Sequence, residues 1–333
     1  MSLKLFAAAN LALAAAKPTA SLMGRQSQNP IASFDLGTKW EICIHKPIQH
    51  NSVDDLVPSE AMIWDIDQSH AKEYPETIDL LKVCEQLVAS PLSLGFLLTK
   101  RDQLQTAGKA IICYFNAGAM QNWDDDYNEF PAEAKGKTLG GDYEDEWYVD
   151  IRHAKVVEIM KKRLTEAAAI GCDGVDPDNV DAWASGGEDR TGFNLQASDY
   201  VDYLTKLADH GHSLRTASGA SLLVGQKNAP EIASKLASIL DFAVLESCLD
   251  WNFCGDFQVY TQLGKPVLQI EYPKSIPANG VLSPADEALY CGEHETSDSD
   301  RDFSKVLKYA SAQLDGWGQY CGEDSWETPT LEE

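Results

Sequence analysis

Short apolar runs that end in acidic or amide residues recur along this chain. Residues 40–44 form the first. Residues 61–66 follow and close in Asp65 and Asp67, and residues 110–115 run from Tyr114 into Asn116-Ala117-Gly118. Residues 146–151 contain Asp150, and Gly174-Val175 leads into Asp176-Pro177-Asp178-Asn179. Residues 221–225 end in Gln226-Lys227-Asn228, residues 241–245 in Glu246, and residues 266–270 in Glu271-Tyr272. Runs of this length with polar punctuation are strand signals. Helical spacing fills the gaps. In residues 154–169 the apolar positions are Val156, Val157, Ile159, Met160, Leu164 and Ala168. Residues 197–208 repeat the pattern behind Ser198, a capping residue, and residues 230–240 open on a proline suited to a first helical turn. Residues 301–314 read as a last helix.

Strands alternating with helices in one chain predict a (β/α)₈ TIM barrel of the α/β class, a single catalytic domain over residues 30–320. A doubly wound sheet is the rival, but no glycine-rich fingerprint follows the first strand. Two stretches interrupt the plan. Residues 83–100 are largely apolar with little polar punctuation, and residues 212–221 are rich in Ser, Ala and Gly. Both read as inserted material, either surface insertions or translated introns. Residues 321–333 read as an acidic tail.

The first 21 residues have the form of a signal peptide: Lys4, an apolar run over residues 5–16, then small residues where cleavage would fall. The run is too short to span a bilayer. The expectation is a secreted protein, extracellular or at the cell wall, with no membrane insertion. Export permits disulfides among the eight cysteines. Cys248 and Cys254 are close enough to clip a loop, and Cys291 with Cys321 would tie down the C-terminal region. Cys113 and Cys172 stand either as core thiols or as a pair. Cys84 lies in the first interrupting stretch and supports no pairing.

Charge narrows the partners. The 333 residues carry 27 Lys and Arg against 52 Asp and Glu, a formal charge of -25. Such a surface repels nucleic acid and anionic membranes and attracts cations. A monomer is expected.

The chemistry points to carboxylates. Asp173, Asp176, Asp178 and Asp181 crowd around one short strand, and strand alternation turns Asp176 and Asp178 to the same face. Glu246 ends an apolar strand with no polar neighbour, where a carboxylate is costly to desolvate without a partner, and Glu271 ends the next strand in the same manner. A glycosidic bond needs a proton donor at the leaving oxygen and a second carboxylate as nucleophile or base. Asp178 and Glu246 fit those roles. Asp65, Asp67, Tyr114, Asn116, Asp150, Asp176, Lys227, Glu271 and Tyr272 are expected around the substrate, with Trp64, Trp123 and Trp183 as further stacking faces. No serine-nucleophile elbow and no convincing histidine or cysteine metal spacing is present, so neither metal nor cofactor is expected.

At these residues the sequence resembles glycoside hydrolase family 114. The resemblance rests on Cys113 to Gly118, Trp147 to Arg152, Gly171 to Asp181, Thr191-Gly192-Phe193, Gly225 to Asn228, Phe242 to Cys248, Cys254 and Gly264 to Tyr272. It implies a (β/α)₈ barrel and an endo-α-1,4-polygalactosaminidase acting on galactosamine-rich polymer such as fungal galactosaminogalactan. It places the family's catalytic Asp on Asp178 and its catalytic Glu on Glu246. It puts family cysteines on Cys248 and Cys254, which supports the clip. It also implies a cationic galactosamine-containing polysaccharide as partner, a use for the acidic charge. Residues 212–221 make the span between Asp178 and Glu246 longer than the family pattern, and residues 83–100 have no counterpart in it.

Overall fold

The computed structural model describes residues 35–49, 56–82, 109–183, 189–276, 282–292 and 299–331. The expected signal peptide and the 83–100 insertion lie outside the described residues. Ten strands form the main sheet: β1 Trp40–Cys43, β2 Ile63–Asp67, β3 Ala110–Asn116, β7 Gly174–Asp178, β8 Leu223–Lys227, β9 Phe242–Glu246, β10 Val267–Glu271, β11 Ser304–Leu307, β12 Trp317–Gln319 and β13 Ser325–Glu327. Strands β4 Ala119–Gln121, β5 Lys135–Gly140 and β6 Tyr143–Val149 form a separate antiparallel sheet.

The expected closed, all-parallel TIM barrel is not what forms. The sheet is open and mixed, curves through 324° and leaves its edges 10 Å apart. Two segments account for the difference. Of residues 146–151, read as the fourth barrel strand, 146–149 belong to β6 and the rest to no strand, and β3 pairs directly with β7. Residues 301–314, read as a helix, contain β11, which pairs parallel to β10 and then antiparallel to β12. Apolar alternation identifies a strand but not its partner or direction. At the open seam, side chains replace a ladder: Trp40 Nε1 donates to the Ser304 carbonyl (2.7 Å) and the Tyr320 hydroxyl to the Trp40 carbonyl (2.9 Å). Lys308 pairs with the buried Glu41.

Alternate residues of the parallel strands face two apolar layers. Ile63, Ile112, Phe242, Val244, Leu268 and Ile270 fill the interior, whereas Trp64, Ile111, Val175, Val224 and Leu245 pack outward, in the layer of the helices. Phe242 requires glycine across from it. A Cβ at Gly225 would stand 2.5 Å from its ring and one at Gly174 3.2 Å. Helices Ala154–Ile170 and Ala197–Ser213 pack on each other outside the sheet. The first stops at Gly171 in the left-handed conformation (φ 111°). The second is capped by a Gln196–Asp199 capping box and carries His212, which contacts Asp241 at 2.8 Å. Residues 214–222 then form a short turn into β8. The stretch read as an acidic tail contributes β13, and Thr328 behind it is buried.

Disulfides join Cys113 to Cys172, Cys248 to Cys254 and Cys291 to Cys321. The first resolves the alternatives left open for Cys113 and Cys172: they are a pair, and it ties β3 to the end of the Ala154–Ile170 helix.

Candidate active site

The interior phase set by Ile63, Ile112, Phe242 and Ile270 continues to the C-terminal ends of the strands, where apolar residues give way to Asp65, Tyr114, Asp176, Asp178, Lys227, Glu246 and Tyr272. Immediately after three of these ends the backbone turns left-handed at a residue other than glycine: Asn179 (φ 59°), Asn228 (φ 43°) and Ser247 (φ 53°). Asparagine tolerates that region through its short polar side chain, and strained residues of this kind gather at functional sites. The turns carry the chain away and leave the last strand side chain at the rim.

Lys227 organises the charges. It is almost fully buried, and its Nζ lies 3.2 Å from Asp176, 3.6 Å from Asp178 and 3.6 Å from Glu246. Burial alone would lower its pKa. Asp176, Asp178, Glu246 and Asp65 outweigh burial and hold it well above the ordinary lysine range. Beneath it, burial pushes the Asp176 carboxyl up to about 6, with Lys227 opposing and Asp178 adding to the rise. Burial and the neighbouring Asp176 also raise Asp65 well above the usual carboxylate range, and among the described residues neither oxygen of Asp65 has a hydrogen-bond partner.

Asp178 and Glu246 differ from that floor in reaching solvent. Their side chains are 22% and 29% exposed, against 0% for Asp176. The Tyr114 hydroxyl donates to Asp178 Oδ2 (2.9 Å) and the Tyr272 hydroxyl to Glu246 Oε1 (2.7 Å). Burial, then the carboxylate each one faces, raises both tyrosines, so they remain protonated donors at neutral pH. Asn228 adds a bond to Glu246 Oε2 (3.1 Å). Because both carboxylates lie 3.6 Å from one ammonium nitrogen, their nearest oxygens are no further apart than twice that distance. Both are able to reach one glycosidic linkage.

The backbone around Asp178 is fixed by close approach. Ala117 and Gly118 amides donate to the Asp178 carbonyl (3.0 and 2.9 Å), and a Cβ at Gly118 would sit 1.6 Å from the Asn179 carbonyl oxygen. Any larger residue at 118 displaces this turn. Asn116 links the turn to the second sheet, accepting from Asn179 (3.2 Å) and donating to Glu146 (2.8 Å).

Other expected site residues are held by local partners. Asp67 caps the helix Gln68–Glu73, accepting from the Ser69 and His70 amides. Asp150 is held by Arg152 (2.9 Å). Glu271 faces outward, where it accepts from the Leu249 amide (3.1 Å) and Gln269 (2.8 Å), and burial raises it to about 7. It braces the loop beyond Glu246, beside the Cys248–Cys254 disulfide. That trio of ligand types offers no thiolate, because its sulfurs are joined to each other. Trp64 is core, Trp183 packs on Tyr200 (centroids 5.7 Å apart), and Trp123 is 60% exposed. Glu146 escaped the sequence reading; it sits in the strand that was assigned to the barrel.

These buried acids set a pH dependence. A carboxyl raised on folding stabilises the fold below its unfolded pKa of about 4, and that contribution is lost as pH rises through the folded value. Asp176 loses it approaching about 6 and Glu271 approaching about 7, with Asp65 acting in the same direction. The melting temperature is therefore expected to fall from pH 5 to pH 8; a rise across that interval would show that these carboxyls are ionised in the fold without penalty.

Comparison with known proteins follows the same lines. The model of glycoside-hydrolase family GH114 matches residues 22–325. The Aspergillus fumigatus Ega3 structure in complex with galactosamine is similar over 86% of this chain and 96% of that one, at 30% identity and a TM-score of 0.65. The glycoside hydrolase domain of PelA from Pseudomonas aeruginosa shares the fold over 85% of this chain and 98% of that one, at 13% identity and a TM-score of 0.53. No curated protein matches the chain.

Proposed function

The chain belongs to glycoside hydrolase family 114 and is an endo-acting hydrolase of galactosamine-containing polysaccharide, and from that premise we propose that Asp178 and Glu246 are its catalytic pair. The observation that carries this reading is the contrast in exposure: of four carboxylates gathered around Lys227, only these two reach the solvent side. One delivers a proton to the glycosidic oxygen, and the other attacks the sugar carbon or activates water. Tyr114 and Tyr272 hold the two carboxylates in place. Lys227 limits the repulsion between them and fixes their spacing.

The substrate in this proposal is a polymer whose deacetylated residues carry ammonium groups. A chain of net charge -25 concentrates such a polymer at its surface. The site of action is outside the cell, in keeping with an apolar N-terminal segment and the three disulfides among the described residues. Single-domain organisation belongs to the same proposal. The test is incubation with partly deacetylated galactosaminogalactan followed by mass spectrometry of the products. Short galactosamine oligomers are expected, with turnover suppressed when the amines are acetylated. Equal turnover of fully acetylated polymer would overturn the cationic specificity.

A further inference from the structure

The helices Ala154–Ile170 and Ala197–Ser213 each send a buried polar side chain to the turn that follows β3. From the first comes Arg163, which stands in the buried stripe with Ile159, Met160 and Ala167. From the second comes Tyr203, which stands with Tyr200, Leu204 and Leu207. A guanidinium in an apolar stripe is costly unless its donors are used. Nε and Nη2 of Arg163 donate to Asp126 (2.8 and 2.5 Å), and Nη2 donates also to Asp124 (2.6 Å). Nη1 serves the backbone and donates to the Asn116 carbonyl (3.0 Å). The Tyr203 hydroxyl donates to the next carbonyl, that of Ala117 (2.8 Å).

Buried carbonyls need donors, so one such bond alone would be an ordinary brace. What exceeds a brace is where these bonds converge. Asn116, Ala117 and Gly118 are consecutive, and their carbonyls are held from three different elements: by Arg163, by Tyr203 and by the Val149 amide of β6 (3.0 Å). The amides of Ala117 and Gly118 both point at the Asp178 carbonyl, and Gly118 lies directly against the Asn179 backbone. A shift at either helix contact therefore passes through two peptide groups to the residue that carries the carboxyl.

We propose that Arg163 and Tyr203 are positioning residues for the hydrolysis: by gripping the Asn116 and Ala117 carbonyls, they fix the backbone of Asp178 where its carboxyl meets the glycosidic bond. This rests on the assignment of Asp178 to the catalytic pair and adds to it the groups that hold that residue from outside the sheet. Both side chains are buried beneath the turn, so neither meets the polymer. A displacement of about 1 Å at a reacting group costs on the order of 10²-fold in rate, while polymer contacts elsewhere are unaffected. The signature is a lower kcat at constant KM.

Tyr203→Phe deletes one hydroxyl and keeps the ring in its packing, so it tests the bond rather than the core. On partly deacetylated galactosamine polymer, well below the melting temperature of each variant, its kcat is expected to fall about tenfold with KM unchanged. Arg163→Lys keeps a cation beside Asp124 and Asp126 but lacks the fork that also reaches Asn116, and it is expected to show the same split. Tyr114→Phe loosens the same carboxyl, so combining it with Tyr203→Phe should lower kcat by less than the product of the single effects. Tyr272→Phe loosens Glu246 instead, and with it the effects should multiply. A Tyr203→Phe enzyme that melts lower but keeps the parent kcat would reduce the bond to a brace and overturn the proposal. So would a rise in KM as large as the fall in kcat, or effects that multiply with both tyrosines. If Asp178→Asn is as active as the parent, the catalytic assignment beneath the proposal fails; if Asp178→Asn is inactive and Tyr203→Phe is unimpaired, the positioning link alone fails.

Discussion

Asp178→Asn and Glu246→Gln, made separately, are each expected to lower kcat by about 10²–10⁴-fold while leaving polymer binding in place. Both changes keep side-chain volume and a carbonyl oxygen able to accept from Tyr114 or Tyr272. What they remove is the ability to donate, accept or attack as a carboxyl group. Because each side chain is partly exposed, the variants should stay folded, and a melting curve beside the initial-rate measurement separates lost chemistry from lost structure. Rates within a few-fold of the parent in either variant would remove that residue from the mechanism.

Lys227→Met carries the second large effect, and here it falls on stability first. Lys227 is the cation shared by Asp176, Asp178 and Glu246, and it favours the ionised form of Asp65 against burial. Methionine matches its length without the charge. Removing one partner of a buried ion pair typically costs about 3–5 kcal/mol, because the remaining charge is left uncompensated. Protonation of Asp176 and Asp65 relieves part of that cost, so the variant should be less compromised at pH 5 than at pH 8. Adding Asp176→Asn should recover stability but not activity, since the charge that spaces Asp178 and Glu246 remains absent. Denaturant melts at both pH values check this. A Lys227→Met variant as stable as the parent at pH 8 would mean that the cluster is already neutral without it.

The site was legible in the sequence where its chemistry violated a local rule. A carboxylate ending an apolar strand is costly to desolvate, and that singled out Glu246; the aspartates crowded around one short strand singled out Asp178. Alternation correctly paired Asp176 with Asp178. It also contains the correction for Glu271: Leu268, Ile270 and Tyr272 share one face, so a residue between the last two must point the other way. Asp67 precedes Gln68-Ser69-His70, a helix start, and Asp150 stands two residues before Arg152. In both cases a local partner claimed the carboxylate that the barrel plan had assigned to the cleft.

The parts of the fold that escaped reading are those where the pattern does not encode partners. β6 alternates as a barrel strand would, yet its neighbours β4 and β5 are close in sequence and antiparallel, so it pairs locally and β3 goes on to β7. β11 is four residues long, and Val306 and Leu307 fit helical spacing as well as extended spacing. The identity of the eighth parallel strand was therefore lost, and with it the open seam. The error left the candidate catalytic pair untouched because β7, β8 and β9 are neighbours in both plans. It did hide Glu146, which meets Asn116 from the second sheet.

The most direct test is a crystal structure of the Glu246→Gln variant with a galactosamine oligomer bound. A glycosidic oxygen lying between Asp178 and Gln at position 246, within hydrogen-bond reach of the latter, is the result expected. An oligomer seated away from the ends of β7 and β9, in a variant shown to bind polymer, would contradict the assignment of this pair.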